Sequence, residues 1–125
     1  MTSLEKLIRY QNFLIDQVKN KLLTIERDIQ NADDMYRSLK HSLEQEIHQS
    51  LHFIEITQTF ENYYEYLQKK IKVFYKKKED LLKEKMTMSN YLKQHIFTLK
   101  RYEKILDIQD QKNLEELQQK ERRMS

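Results

Sequence analysis

LEKLIRYQNFLIDQVKNKLLTIERDIQNADDMYRSLKHSLEQE, residues 4–46, decides the fold. Alternate steps of four and three along it land on Leu4, Ile8, Gln11, Ile15, Val18, Leu22, Ile25, Ile29, Ala32, Tyr36, Leu39, Leu43 and Glu46, and eleven of these thirteen positions are apolar. A spacing that averages 3.5 residues draws one narrow apolar seam along a helix, and a partner helix is the surface that buries such a seam. With Ile8 at heptad position a, the a set is Ile8, Ile15, Leu22, Ile29, Tyr36 and Leu43. The d set is Leu4, Gln11, Val18, Ile25, Ala32 and Leu39. The stretch therefore reads as one arm of a coiled coil.

Its start is marked by Thr2 followed three residues later by Glu5, the capping-box spacing, so the first helix is expected from Ser3 to about residue 48. The seam then fails across QEIHQSLHFIEITQT, residues 45–59, where the heptad would place Ser50 and Thr57 at a positions. Ser50, Thr57 and Thr59 offer hydroxyls that bond nearby backbone groups in turns and caps, and a reversal is expected over residues 48–57. From Phe60 the same stepping resumes through Tyr64, Leu67, Ile71, Phe74, Lys78, Leu81, Lys85, Met88, Leu92, His95, Leu99, Tyr102, Leu106 and Gln109, with eleven of fifteen positions apolar. This predicts a second helix over residues 58–122. Lys78 and Lys85 can lay their methylenes on the seam and keep their ammonium groups in water. His95 reads as a register-setting seam residue, since the chain has no Cys and no other His lies three or four residues from it to complete a metal site.

Composition agrees with a single extended all-α domain. The 125 residues contain no Gly, Pro or Cys, so the commonest helix breakers and any disulfide are absent. At 34% charged and 38% hydrophobic, the chain is too polar for a several-layered core and suits two long helices with wetted outer faces. No apolar run approaches the roughly 18 residues of a membrane span, and residues 1–13 lack a signal peptide's apolar stretch, so a cytoplasmic protein without direct membrane insertion is expected. Lys and Arg (23) nearly balance Asp and Glu (20) for a net charge of +3, which argues against specific nucleic-acid binding.

Charge also orients the arms. Folding the chain about residue 53 sets Glu26, Asp28, Asp33, Asp34, Glu44 and Glu46 opposite Lys69, Lys70, Lys72, Lys76, Lys77 and Lys78. Flanking charges of opposite sign select partner and orientation, although an exposed pair contributes only ~0.2–1 kcal/mol. The lysine run then reads as a solvated face answering the acidic arm. The expected architecture is an antiparallel two-helix coiled-coil hairpin with a longer C-terminal arm. That folding pairs Leu4 with about Tyr102 and leaves residues 103–125, EKILDIQDQKNLEELQQKERRMS, without a first-arm partner; a helix of that length projects about 35 Å. Its apolar residues Ile105, Leu106, Ile108, Leu114 and Leu117 suggest a docking element, the alternative being a frayed tail beyond Gln118.

Enzymatic chemistry is not indicated. A two-helix hairpin has no concavity to exclude water, no glycines cradle phosphate, no Cys nucleophile exists, and adjacent carboxylates such as Asp33 and Asp34 point in different directions on a helix. No catalytic residue, metal, cofactor or small-molecule substrate is expected. The eight tyrosines are instead the unusual feature. Tyr63, Tyr66 and Tyr75 fall outside the seam, and exposed tyrosines anchor protein partners at low entropic cost.

In its LEKLIRYQNFLIDQVKNKL arm, short reversal and longer second arm ending in EELQQKERRMS, the chain resembles the FliJ family of flagellar export proteins over most of its length. The resemblance implies an antiparallel coiled coil similar to the central stalk of rotary ATPases, seated in the export ATPase hexamer and touching the export gate membrane protein and export chaperones at the cytoplasmic face of the inner membrane. The family's exposed mid-hairpin patch corresponds here to Leu39 and the row Phe60, Tyr64, Leu67 and Ile71, of which Leu39 and Phe60 match by residue type. The partner-binding set expected from residues and resemblance together is Leu39, Phe60, Tyr63, Tyr66, Ile105, Ile108, Leu114 and Leu117. The competing expectation is a generic coiled-coil adaptor that dimerises through its heptad seam.

Overall fold

The computed structural model describes residues 2–50 and 58–124, and every described residue except Thr2 is helical. Helix α1 spans Ser3–Ser50 and helix α2 spans Gln58–Met124. Two long helices packed on each other are the whole of the described fold. Helix α1 runs two residues past its expected end, because His48 and Gln49 carry no feature that breaks a helix, and the rest of the expected reversal lies outside the described residues. Helix α2 continues to Met124, two residues past its expected end, so the alternative of a frayed tail beyond Gln118 is not what the described residues show.

The capping box forms as its spacing predicts. The Thr2 N–H donates to Glu5 Oε2 (3.2 Å), the Glu5 N–H donates to Thr2 Oγ1 (3.2 Å), and the Lys6 N–H closes the first turn on the Thr2 carbonyl (3.1 Å). Two of the orphan donors at the helix start are thereby satisfied by side chains.

The chain forms two compact units, each built from a piece of both helices: Met1–Lys21 with Met88–Ser125, and Leu22–Thr87. In the first, Ile15 and Gln11 are buried on α1, with Leu4, Ile8 and Val18 half-buried beside them. On α2, Met88, Leu92, His95, Leu99, Tyr102 and Leu106 are half-buried in turn. Two expectations need correction here. Leu106 is covered, so the unpartnered stretch begins at Asp107 and not at Glu103, whereas Gln109 keeps the seam spacing yet is exposed. Heptad spacing marks the face that could be covered, and the cover stops where the partner helix stops.

A polar contact sits inside this apolar seam. Gln11, only 6% exposed, donates from Nε2 to Nδ1 of His95 (2.6 Å) and to the His95 backbone carbonyl (3.2 Å). Both amide protons are therefore used, in an arrangement that needs Nδ1 without its proton. A buried polar pair of this kind ties one level of α1 to one level of α2, because sliding either helix strands a desolvated amide. Replacing Gln11 by Leu alone is expected to cost about 1 kcal/mol, while His95→Leu added to it recovers most of that loss. A double-mutant cycle on urea midpoints checks this, and purely additive losses contradict the pairing.

In the Leu22–Thr87 unit the core is Ile25, Ala32 and Leu67, with the remaining seam residues half-buried, including Leu22, Ile29, Leu43, Ile71, Phe74 and Leu81. Contacts across the unit run in opposite senses along the two helices. Glu26 meets Lys85 (3.6 Å), Asp33 meets Lys78 (2.7 Å), and the Tyr36 and Tyr75 rings lie 6.0 Å apart at 47°. The two lysines that interrupt the second seam are thus the ones that reach acidic partners. Among the described residues, Lys69, Lys70, Lys72, Lys76 and Lys77 bond no carboxylate, so of the six lysines expected to answer the acidic arm Lys78 alone does so. Heptad position explains it: Lys78 and Lys85 occupy seam positions aimed at α1, Lys70 and Lys77 flank the seam, and Lys69, Lys72 and Lys76 point away from it.

Asp33 is the charged hub of this unit. Its carboxylate, 16% exposed, takes Lys78 Nζ on one oxygen and Arg37 Nε on the other at 3.0 Å. The Lys78 hydrogen bond, helped by the positive charges of Arg37 and Lys78 and opposed by burial, holds its pKa below the ordinary 3.8. A depressed folded-state pKa contributes stability that is present above the unfolded value and is lost as pH falls through the lower folded value. The wild-type melting temperature should therefore drop below about pH 4 more steeply than that of Asp33→Asn, which carries no proton to take up. Parallel acid profiles for the two proteins contradict this role.

Candidate partner-binding surfaces

Two of the eight expected site residues, Leu39 and Phe60, turn out to belong to the seam. Leu39 and Phe60 are half-buried, as are Tyr64 and Ile71, and Leu67 is only 2% exposed. The row Phe60, Tyr64, Leu67 and Ile71 is half-buried to buried, so it offers edges and not a surface.

The exposed aromatic surface lies one face away. Tyr63 and Tyr66, three residues apart on α2, point the same way and are exposed, with ring centroids 6.4 Å apart at 21°. Lys70 sits one turn on from Tyr66, with Nζ 5.8 Å from the ring centroid, a cation–π distance. Behind them, the Tyr64 hydroxyl accepts from Gln68 Nε2 (2.8 Å) and the Tyr64 ring lies 6.2 Å from that of Phe60, which steadies the helix under the tyrosine pair. Tyr75 is exposed as expected, yet its contact with Tyr36 makes it part of the packing between helices.

Sequence reasoning missed Val73, 59% exposed and one heptad beyond Tyr66. Its neighbours Lys72, Lys76, Lys77 and Asp80 line a shallow groove of about 490 Å³ with it on α2. The signal was available: an apolar residue seven positions after an outward tyrosine shares its face. Leu7, Tyr10 and Phe13 on α1 are a second exposed apolar group that the seam reading did not address.

In the other unit, Ile105, Ile108, Leu114 and Leu117 are all exposed, and from Asp107 to Met124 every residue is exposed. They do not form one stripe. At about 100° per residue, Ile105 and Ile108 share one face, and Leu114 and Leu117 lie on roughly the opposite side of the helix. The segment therefore presents apolar residues around its circumference.

Among the described residues no helix is long and apolar enough to cross a membrane, and no three His, Asp or Glu side chains cluster as metal ligands would. Comparison of the chain with protein-family models, with curated proteins and with solved structures finds no match.

Proposed function

We propose that the chain is a non-enzymatic stalk and chaperone-escort component of a bacterial flagellar or related type III export apparatus, folded as an antiparallel coiled-coil hairpin with a longer C-terminal arm. The observation that carries the reading is the uncovered helix from Asp107 to Met124, regular in backbone and apolar on two opposite sides. Ile108, Leu114 and Leu117 stand exposed along it, and a helix that enters a ring meets protein on all sides. The opposite-sense contacts from Glu26–Lys85 to Tyr36–Tyr75 support the hairpin. Burial of Ile15, Ile25, Ala32 and Leu67 within a single chain speaks against an adaptor that dimerises through this seam, because the seam is already filled.

In this reading the Asp107–Met124 segment contacts the export ATPase hexamer, and the exposed Tyr63 and Tyr66 face, in place of the half-buried Leu39 and Phe60, meets the export gate or chaperones. The protein works in the cytoplasm, at the inner face of the membrane. Titrating the purified chain into a cognate export ATPase is expected to raise hydrolysis to a plateau. An unchanged rate at saturating chain sinks the proposal.

A further inference from the structure

We propose that the Tyr63–Lys77 face of α2 is a docking site for an acidic amphipathic helix of a partner protein. Steps of three and four residues join Tyr63, Tyr66, Lys70, Val73 and Lys77, which fall within an arc of about 80° on the helix. This is a second seam-like stripe on the helix, beside the one that faces α1. Tyr63, Tyr66 and Val73 stand exposed on it, and Lys69 and Lys76 border it one position away. A stripe this narrow matches the width of one helix.

Charge says what that helix carries. Lys69, Lys70, Lys76 and Lys77 meet no carboxylate among the described residues, and they flank Tyr66 and Val73 on both sides over about two turns. Concentrated like charge on one helix is unfavourable unless a partner of opposite sign answers it. The positive patch is also bounded: Glu61 and Glu65 precede it, and Glu79, Asp80 and Glu84 follow it. A nucleic-acid backbone or an anionic membrane carries its charge past both limits and onto those carboxylates. A short acidic helix ends where the lysines end. The apolar residues of the occupant would lie on Tyr66 and Val73, with its carboxylates reaching Lys69 and Lys76 on one side and Lys70 and Lys77 on the other.

This names the occupant's chemistry and rests on the reading of the tyrosine face as a protein contact in the export proposal, but its test needs no export component. The probe is a labelled synthetic peptide of about four turns, with Leu at heptad spacing and Glu on both flanks, titrated into the full chain and followed by anisotropy. Saturable binding is expected. Val73→Asp should weaken it at least about tenfold, and Lys69→Gln with Lys76→Gln should weaken it and flatten its dependence on salt. All three positions are exposed, and unchanged circular dichroism shows that the fold is kept. Equal binding of a scrambled peptide of the same composition overturns the proposal, since a bare polycation would do that. So does tighter binding of phosphatidylglycerol vesicles or duplex DNA, which identifies a different occupant. A failed ATPase titration alongside a successful peptide titration removes the export reading and leaves this surface standing.

Discussion

Ile25→Asp should unfold both helices, while Leu23→Asp, two residues away, should leave them folded. The contrast follows from burial: Ile25 is 3% exposed and Leu23 is 60% exposed on the same helix. Removing the Ile25 side chain forfeits its apolar transfer energy and leaves a cavity, and the new carboxylate then either desolvates or forces the seam open. Together these effects come to about 4 kcal/mol, comparable to the whole stability of a small domain. A two-helix seam has no second layer over which to spread such a loss. Leu23→Asp exchanges one exposed side chain for another and should stay within about 0.5 kcal/mol. Urea titrations followed by far-ultraviolet circular dichroism separate the two, because each helix accounts for the other's burial and both should melt together. Similar midpoints for the two variants would mean that the seam is not what holds α1 and α2.

The seam was legible because its signal is local. All thirteen seam positions of α1 are at least half-buried, and on α2 all fifteen are except Gln109. Thr2 and Glu5 were equally legible, since a capping box is a contact between neighbours in the chain. What escaped the sequence depends on the other helix. Gln11 and His95 are 84 residues apart, and only the register between the helices makes their polar atoms meet. The lysine run was misjudged through its totals: counting opposite charges predicted a paired face, but direction decides pairing, and Lys69, Lys72 and Lys76 point away from α1. The heptad letters already carried that direction. No such local rule identifies a partner-binding residue. Exposed Tyr63 and half-buried Phe60 read alike as aromatic residues in one cluster, and the structure separates them by about 60° around the helix.

Deleting Asp110–Ser125 is expected to leave the packed helices folded and, on the export proposal, to abolish stimulation of a cognate export ATPase. The described part of that segment is exposed throughout, so its removal takes away no buried apolar contact and should leave the denaturation midpoint of the remainder within about 0.5 kcal/mol. Replacing Tyr63 and Tyr66 by Ser should do the reverse, sparing the ATPase and weakening the gate or chaperone contact. The geometry of the segment allows a sharper version of the test. Ile108 and Leu117 lie on roughly opposite sides of α2, about half a turn apart around the helix axis. A ring that encloses the helix touches both, and Lys112, Lys120, Arg122 and Arg123, distributed along the same stretch, meet an acidic lining from several directions. Ile108→Asp and Leu117→Asp, made separately, should then each reduce stimulation severalfold. A partner that lies along one side of the helix touches only one of them, and only one variant loses activity. If the truncated chain stimulates the hexamer as well as the full one, the segment is a solvated helical extension and the ring contact must lie elsewhere on the two helices.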